Sequence, residues 1–179
     1  VVLVATVIYF VLKSATPTKN SSNIQQTSQS TSAVTATPAK TSKCSLNGTL
    51  PDPECNPGTI DPNVTQENIK TTICVSGYTA RVRPSVTYTN KLKVQGIKDY
   101  GYDDTKLADY EEDHIIPLEI GGNPSDPNNL FPEPIQQAKQ KDQVENFLHA
   151  QVCSGKITLS EAQKEITTNW YEVYATISK

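Results

Sequence analysis

The chain has 179 residues, with 16 Lys and Arg against 19 Asp and Glu, a formal net charge of −3 and no methionine. That length accommodates one domain and an appendage. The mildly acidic total argues against tight, sequence-specific DNA binding, which draws on many cationic contacts to phosphate.

In chain order, Val1 to Leu12 is almost wholly apolar (VVLVATVIYFVL). As a helix it spans only ~18 Å, short of the ~30 Å hydrocarbon core of a bilayer. Residues 1–12 therefore read as the tail of a membrane anchor, with the apolar region of a signal peptide as the alternative. Residues 13–43 are dominated by Ser, Thr, Ala, Asn and Gln and carry neither an aromatic nor an acidic residue. They cannot bury enough apolar surface to offset their ordering entropy, and read as a flexible linker.

Residues 44–179 form the candidate domain and hold all four cysteines, Cys44, Cys55, Cys74 and Cys153. None forms a CxxC pair, and the spacings fit no zinc ribbon. An even count behind an apolar leader favours two disulfides in an oxidising, extracytoplasmic setting. The expected pairs are Cys44–Cys55 and Cys74–Cys153, with four reduced thiols in a cytosolic protein as the alternative.

Within the domain, residues 44–62 are rich in Pro, Gly and Asn and predict little regular structure. Thr65 caps a short expected helix to Ile73. Gly77 to Tyr88 is extended in character, limited by Pro84 to an edge. Thr89 caps a second helix with Leu92 and Ile97 inward, stopped by Gly101. Asp113 to Ile120 reads as a strand, Gly121-Gly122 as its turn and Leu130-Phe131 as a return strand. A helix follows from Ile135 to Val152, ended by Ser154-Gly155. Ser160 with Gln163 makes a capping box for a last helix carrying Ile166, Trp170, Val173 and Tyr174. The expectation is a small α+β domain whose centre is a strand–turn–strand–helix unit.

Charge is segregated along this stretch. Lys70 to Lys98 holds six basic residues (Lys70, Arg81, Arg83, Lys91, Lys93 and Lys98) and no acid; Asp99 to Glu119 holds eight acids and one lysine. A basic surface beside an acidic pocket suits cleavage of a polyanion, and Arg81, Arg83, Lys91 and Lys93 are the candidate substrate-binding residues. Phosphodiester hydrolysis needs an activated water and neutralisation of charge on phosphate and leaving oxygen. His114, inside Glu111-Glu112-Asp113-His114-Ile115-Ile116, has the titration range of a base near neutral pH. Asp113 is a candidate metal ligand, although neighbours on a regular strand point to opposite faces. Asn128 or Asn129 is placed to cross the hairpin and fix the backbone near His114. On a helical wheel the 135–152 helix has an apolar stripe through Val144, Leu148 and Val152. Gln137, Lys141 and Glu145 continue it towards the N-terminus, which points the polar first half at Asp113 and His114. No HExxH, P-loop, GxSxG or EF-hand pattern occurs.

Asp113-His114-Ile115-Ile116-Pro117, Gly121-Gly122 and Asn128-Asn129-Leu130 together resemble the HNH endonuclease motif, a His-Me finger with a ββα-metal core. Arg83-Pro84, Tyr110 to Glu112, Pro132-Glu133-Pro134, Lys141-Asp142, Glu145-Asn146, Cys153-Ser154-Gly155 and Asn169-Trp170 extend the likeness to small exported bacterial HNH-like proteins. The resemblance implies a metal-dependent endonuclease acting on DNA or RNA. His114 would be the general base, Asn129 the middle asparagine, Lys141 a phosphate-binding group and Asp113 a ligand of a divalent cation, Mg²⁺ ahead of Mn²⁺ or Zn²⁺. The third motif position, a His or Asn in the family, falls on Gln137 or Ala138, so Gln137 and Glu145 would complete the metal shell. Nucleic acid is the expected partner, the N-terminal segment the membrane contact, and no small-molecule cofactor is implied. The alternative is a catalytically inactive surface module of the same fold that binds nucleic acid or an envelope partner.

Overall fold

The structure, a computed structural model, describes residues 43–179; the expected apolar segment 1–12 and all but the last residue of the linker lie outside the described residues. No helix among the described residues is long and apolar enough to cross a membrane. The elements run α1 (Tyr78–Val82), α2 (Val86–Asp99), β1 (Tyr110–His114), β2 (Leu130–Pro134), α3 (Ile135–Cys153), α4 (Leu159–Thr168) and α5 (Trp170–Ile177), with one short 3-10 turn before α1, one between α2 and β1 and two between β1 and β2. This is a small α+β domain with one two-stranded antiparallel sheet.

β1 and β2 pair without a bulge, from Tyr110 opposite Pro134 to His114 opposite Leu130. Prolines at 132 and 134 are tolerated because a two-stranded ribbon has only edges. α2 lies against this ribbon at Gly96, where a Cβ would come within 2.6 Å of the Pro132 ring. The 114–129 connection is closed just as tightly: a Cβ on Gly122 would sit 1.7 Å from the Ile116 carbonyl oxygen.

The main core gathers Val144, Leu148 and Val152 of α3 with Ile166 and Trp170 of the last two helices and Ile116 and Ile120 of the hairpin connection. A second cluster on the other side holds Cys44, Tyr100, Ile115 and Phe131. Both expected disulfides are present, Cys44–Cys55 and Cys74–Cys153. The second ties the segment before α1 to the last residue of α3.

Several expected boundaries move. The strand covers Tyr110–His114 rather than Asp113 to Ile120, so it ends at His114 instead of beginning beside it. Gly77 to Tyr88 is largely helical: α1 breaks at Arg83-Pro84, and α2 starts on Ser85, whose hydroxyl accepts from Tyr88 N at 3.3 Å. Thr89 lies inside α2, donating to Val86 O. The capping box falls on Thr158 and Glu161, not Ser160 and Gln163, and the expected last helix is two helices separated at Asn169.

Candidate functional site

β1 has the sequence Tyr-Glu-Glu-Asp-His and offers no apolar stripe, yet Glu112, Asp113 and His114 are all buried. A buried charge costs several kcal/mol unless paired, and the pair comes from α3. Lys141 is 2 % exposed, at a position of the α3 stripe that also holds Ala138, Val144 and Leu148. Its ammonium donates to Asp113 Oδ2 at 2.8 Å, to the His114 carbonyl at 2.8 Å and to Glu145 Oε1 at 2.6 Å. Three N–H donors meet three acceptors, so the group is saturated. Asp113 in turn accepts the His114 backbone N–H on Oδ1 at 2.7 Å. The two neighbours thus need not share a face, because lysine and backbone join them.

The protonation states follow from counting charge. Burial alone would lower the Lys141 pKa, but the carboxylates of Asp113, Glu145 and Glu133 hold it above the ordinary lysine range. Burial raises the Asp113 pKa, and the charge and hydrogen bond of Lys141, the hydrogen bond from Glu133 and the nearby His114 together more than reverse this, leaving the carboxyl below its usual value. One ammonium cannot hold every nearby acid ionised. Burial pushes Glu145 up to about 8 against the pull of Lys141. Glu133, fully buried, goes up to about 10 through burial and then the charge of Asp113, and its protonated form donates a hydrogen bond to the Asp113 carboxylate. Glu112 is raised to about 8, again by burial, with Lys93 opposing.

His114 is set differently. Its Nε2 lies 3.0 Å from the Pro124 carbonyl oxygen. A carbonyl only accepts, so the proton sits on Nε2 and the lone pair on Nδ1. The ring's one hydrogen bond among the described residues is through Nε2, which leaves Nδ1 without a protein partner there. Burial lowers the ring's pKa more than Pro124 and Asp113 raise it, which favours the neutral imidazole.

Asn129 anchors the connection that carries Pro124. Completely buried, it accepts from Ile116 N at 2.9 Å and Thr59 N at 3.2 Å, and donates to Ile116 O at 3.0 Å and Asn123 O at 2.9 Å. Both halves of the amide are used, so the loop from His114 to β2 has one geometry. Asn128 is exposed, and its backbone N–H is held by Asp126.

Of the candidate substrate-binding residues, Arg81 donates to Ser76 O and stands over the Tyr78 ring. Lys93 is turned inward, donating to Tyr110 O at 2.9 Å. Arg83 and Lys91 are exposed and form no ion pair within 4.0 Å among the described residues. Arg83 is near enough to His114, Glu111, Glu119 and Asp142 to bias the titration of all four. Glu111, Glu119 and Asp142 are each raised, chiefly by burial. A cleft of about 290 Å³ on the α2 side is lined by Glu112, Tyr100 and Pro132, and His114 is not among its lining residues.

A divalent cation held by Asp113, Gln137 and Glu145 does not fit this arrangement. The position between Asp113 and Glu145 is taken by the Lys141 ammonium, and the Gln137 amide donates instead to Thr49 O at 2.6 Å. Lys141, with its donors spent inside, is a clamp on Asp113 and on the His114 backbone. Sequence reasoning missed Glu133 and the Pro124 carbonyl. An acid flanked by prolines and following Phe131 was a usable signal for Glu133, whereas a backbone oxygen leaves none.

Compared with family models, curated proteins and solved structures, the chain matches none.

Proposed function

We propose that this domain is a phosphodiester hydrolase acting on nucleic acid, built on a His-Me finger in which His114 is the general base. The observation that carries the reading is the imidazole: its proton held on Nε2 by Pro124, its Nδ1 lone pair unshared, its ring kept in the neutral form by burial, with Arg83 near enough to bias its titration. In this reading Nδ1 takes a proton from water as the oxygen attacks phosphorus, the P–O bond to the leaving nucleoside oxygen breaks, and that oxygen takes a proton from solvent. Arg83 binds a phosphate oxygen, with Lys91 available to the flanking backbone. Asn129 and Lys141 touch no substrate; they hold the loop and the strand end that aim the ring. The Lys141 charge near Asp113 occupies the place the resemblance assigns to a metal, so no step is routed through a cation there.

The same occupation favours the second reading, a non-catalytic module that keeps the fold and binds nucleic acid through Arg83 and Lys91. A plasmid-nicking assay separates the two. The wild type should convert supercoiled to open-circular DNA, and His114→Gln, which can still reach the Pro124 carbonyl, should lose that activity with its thermal unfolding little changed. Nicking retained in a folded His114→Gln protein would sink the hydrolase, and retarded but uncut DNA would select the binding module.

A further inference from the structure

The Cys74–Cys153 cross-link lies beside a histidine that nothing in the proposed function uses. His149 precedes Cys153 by one helical turn of α3, and one ligand atom each from Cys74, His149 and Cys153 lie within 4.8 Å of one another. All three are half-buried, and Cys74 and His149 line a concavity of about 300 Å³ together with Glu119. His149 Nε2 is 3.0 Å from the Ile73 carbonyl oxygen, which fixes the proton there and leaves the lone pair on Nδ1. That is the usual state of a metal-bound imidazole, whose second nitrogen donates to a carbonyl or carboxylate. Glu119 lies outside that 4.8 Å group but lines the same concavity, and it adds an independent sign: its Oε1 is buried without a hydrogen-bond partner.

We propose that this joint accepts two alternative staples: the disulfide when oxidised, and a tetrahedral Zn²⁺ held by Cys74, His149, Cys153 and Glu119 when reduced. A disulfide sulfur is not a thiolate, so the oxidised protein does not bind the ion. A dithiol reductant attacks one sulfur, the mixed disulfide resolves as the reductant's second thiol closes on the first, and a cyclic disulfide leaves. Cys74 and Cys153 each end as a thiol. Zinc then displaces one proton from each, two protons are released, and His149 and Glu119 complete four ligands. On reduction the two sulfurs part to the ~3.8 Å that two Zn–S bonds of ~2.3 Å require. Either staple joins the segment before α1 to the end of α3, so the nascent, reduced chain holds that contact before oxidation.

The test titrates Co²⁺ into the full chain carrying Cys44→Ser and Cys55→Ser, which leaves this pair alone. The dithiol-reduced protein should bind one equivalent with thiolate-to-cobalt charge-transfer absorption and tetrahedral d–d bands, and the oxidised protein should show neither. His149→Ala should weaken binding by at least ~10-fold, with circular dichroism reporting that the helices persist; His149→Gln serves if that variant unfolds. Absence of the charge-transfer band on reduction, or undiminished affinity in the His149 variant, overturns the site. Unchanged affinity in Glu119→Ala overturns the fourth ligand.

Discussion

Lys141 is the residue on which the polar centre turns. Its ammonium is the only cation in contact with Asp113 and Glu145 among the described residues, and it also holds the His114 carbonyl. Removing one partner of a buried ion pair costs more than the pair is worth, because the other charge stays buried. Lys141→Met, similar in volume, should lower unfolding free energy by about 3–5 kcal/mol, read from urea transitions near neutral pH. A loss below 1 kcal/mol would mean the carboxylates reach solvent without it. His114 makes a second prediction at this scale. Its pKa is lowered from 6.5 by burial, and a base works when unprotonated. The acid limb of the nicking rate should therefore fall below pH 6.5, and a limb above that value would exclude this ring as the base.

At the scale of elements, capping decides where the helices begin. Thr158 accepts from Glu161 N, and Glu161 returns a bond to Thr158 N at 2.7 Å, which starts α4 two residues before the Ser160 expected from sequence. Thr158→Ala should cost about 1 kcal/mol, while Ser160→Ala should stay within about 0.5 kcal/mol; the reverse order in thermal melts would return the cap to Ser160. Both Thr-x-x-Glu and Ser-x-x-Gln were on the page, and Gln163 is spent elsewhere, donating to Ile120 O. The strand was misplaced for a related reason. Ile115 and Ile116 are β-branched and consecutive, and they bury into two different clusters, so two-sided burial in an irregular loop imitates a strand. The hairpin-then-helix order, the inward Lys141 and the disulfide pairs were legible because they rest on glycine turns, helical periodicity and cysteine parity. Gln137 was placed with the polar stripe by the same periodicity, but its partner is Thr49, 88 residues away. Contacts at that separation leave no local signal.

Across the whole molecule, the polar centre sets how stability depends on pH. Asp113 has a lowered folded pKa, so its contribution is present above its unfolded value near 3.8 and is lost as pH falls through the folded one. Glu112, Glu145 and Glu133 are raised to about 8, 8 and 10 from 4.5. Their protons favour the folded state: that contribution is complete below 4.5, declines as pH rises and is gone once pH passes the folded values. His114, lowered from 6.5, opposes them only below that pH, one group against three. The fold should therefore be most stable in mild acid and lose stability steadily towards alkali, unlike a domain whose carboxylates are all salt-bridged. Melting temperatures at about pH 5, 7 and 9 should fall in that order. Glu133→Gln keeps the shape of the neutral acid without its proton, so the decline should become shallower between about pH 7 and 9. A melting temperature that is flat or rises from pH 5 to 9 would mean these carboxyls are ionised in the folded state, with solvent or a cation reaching the space between β1 and α3.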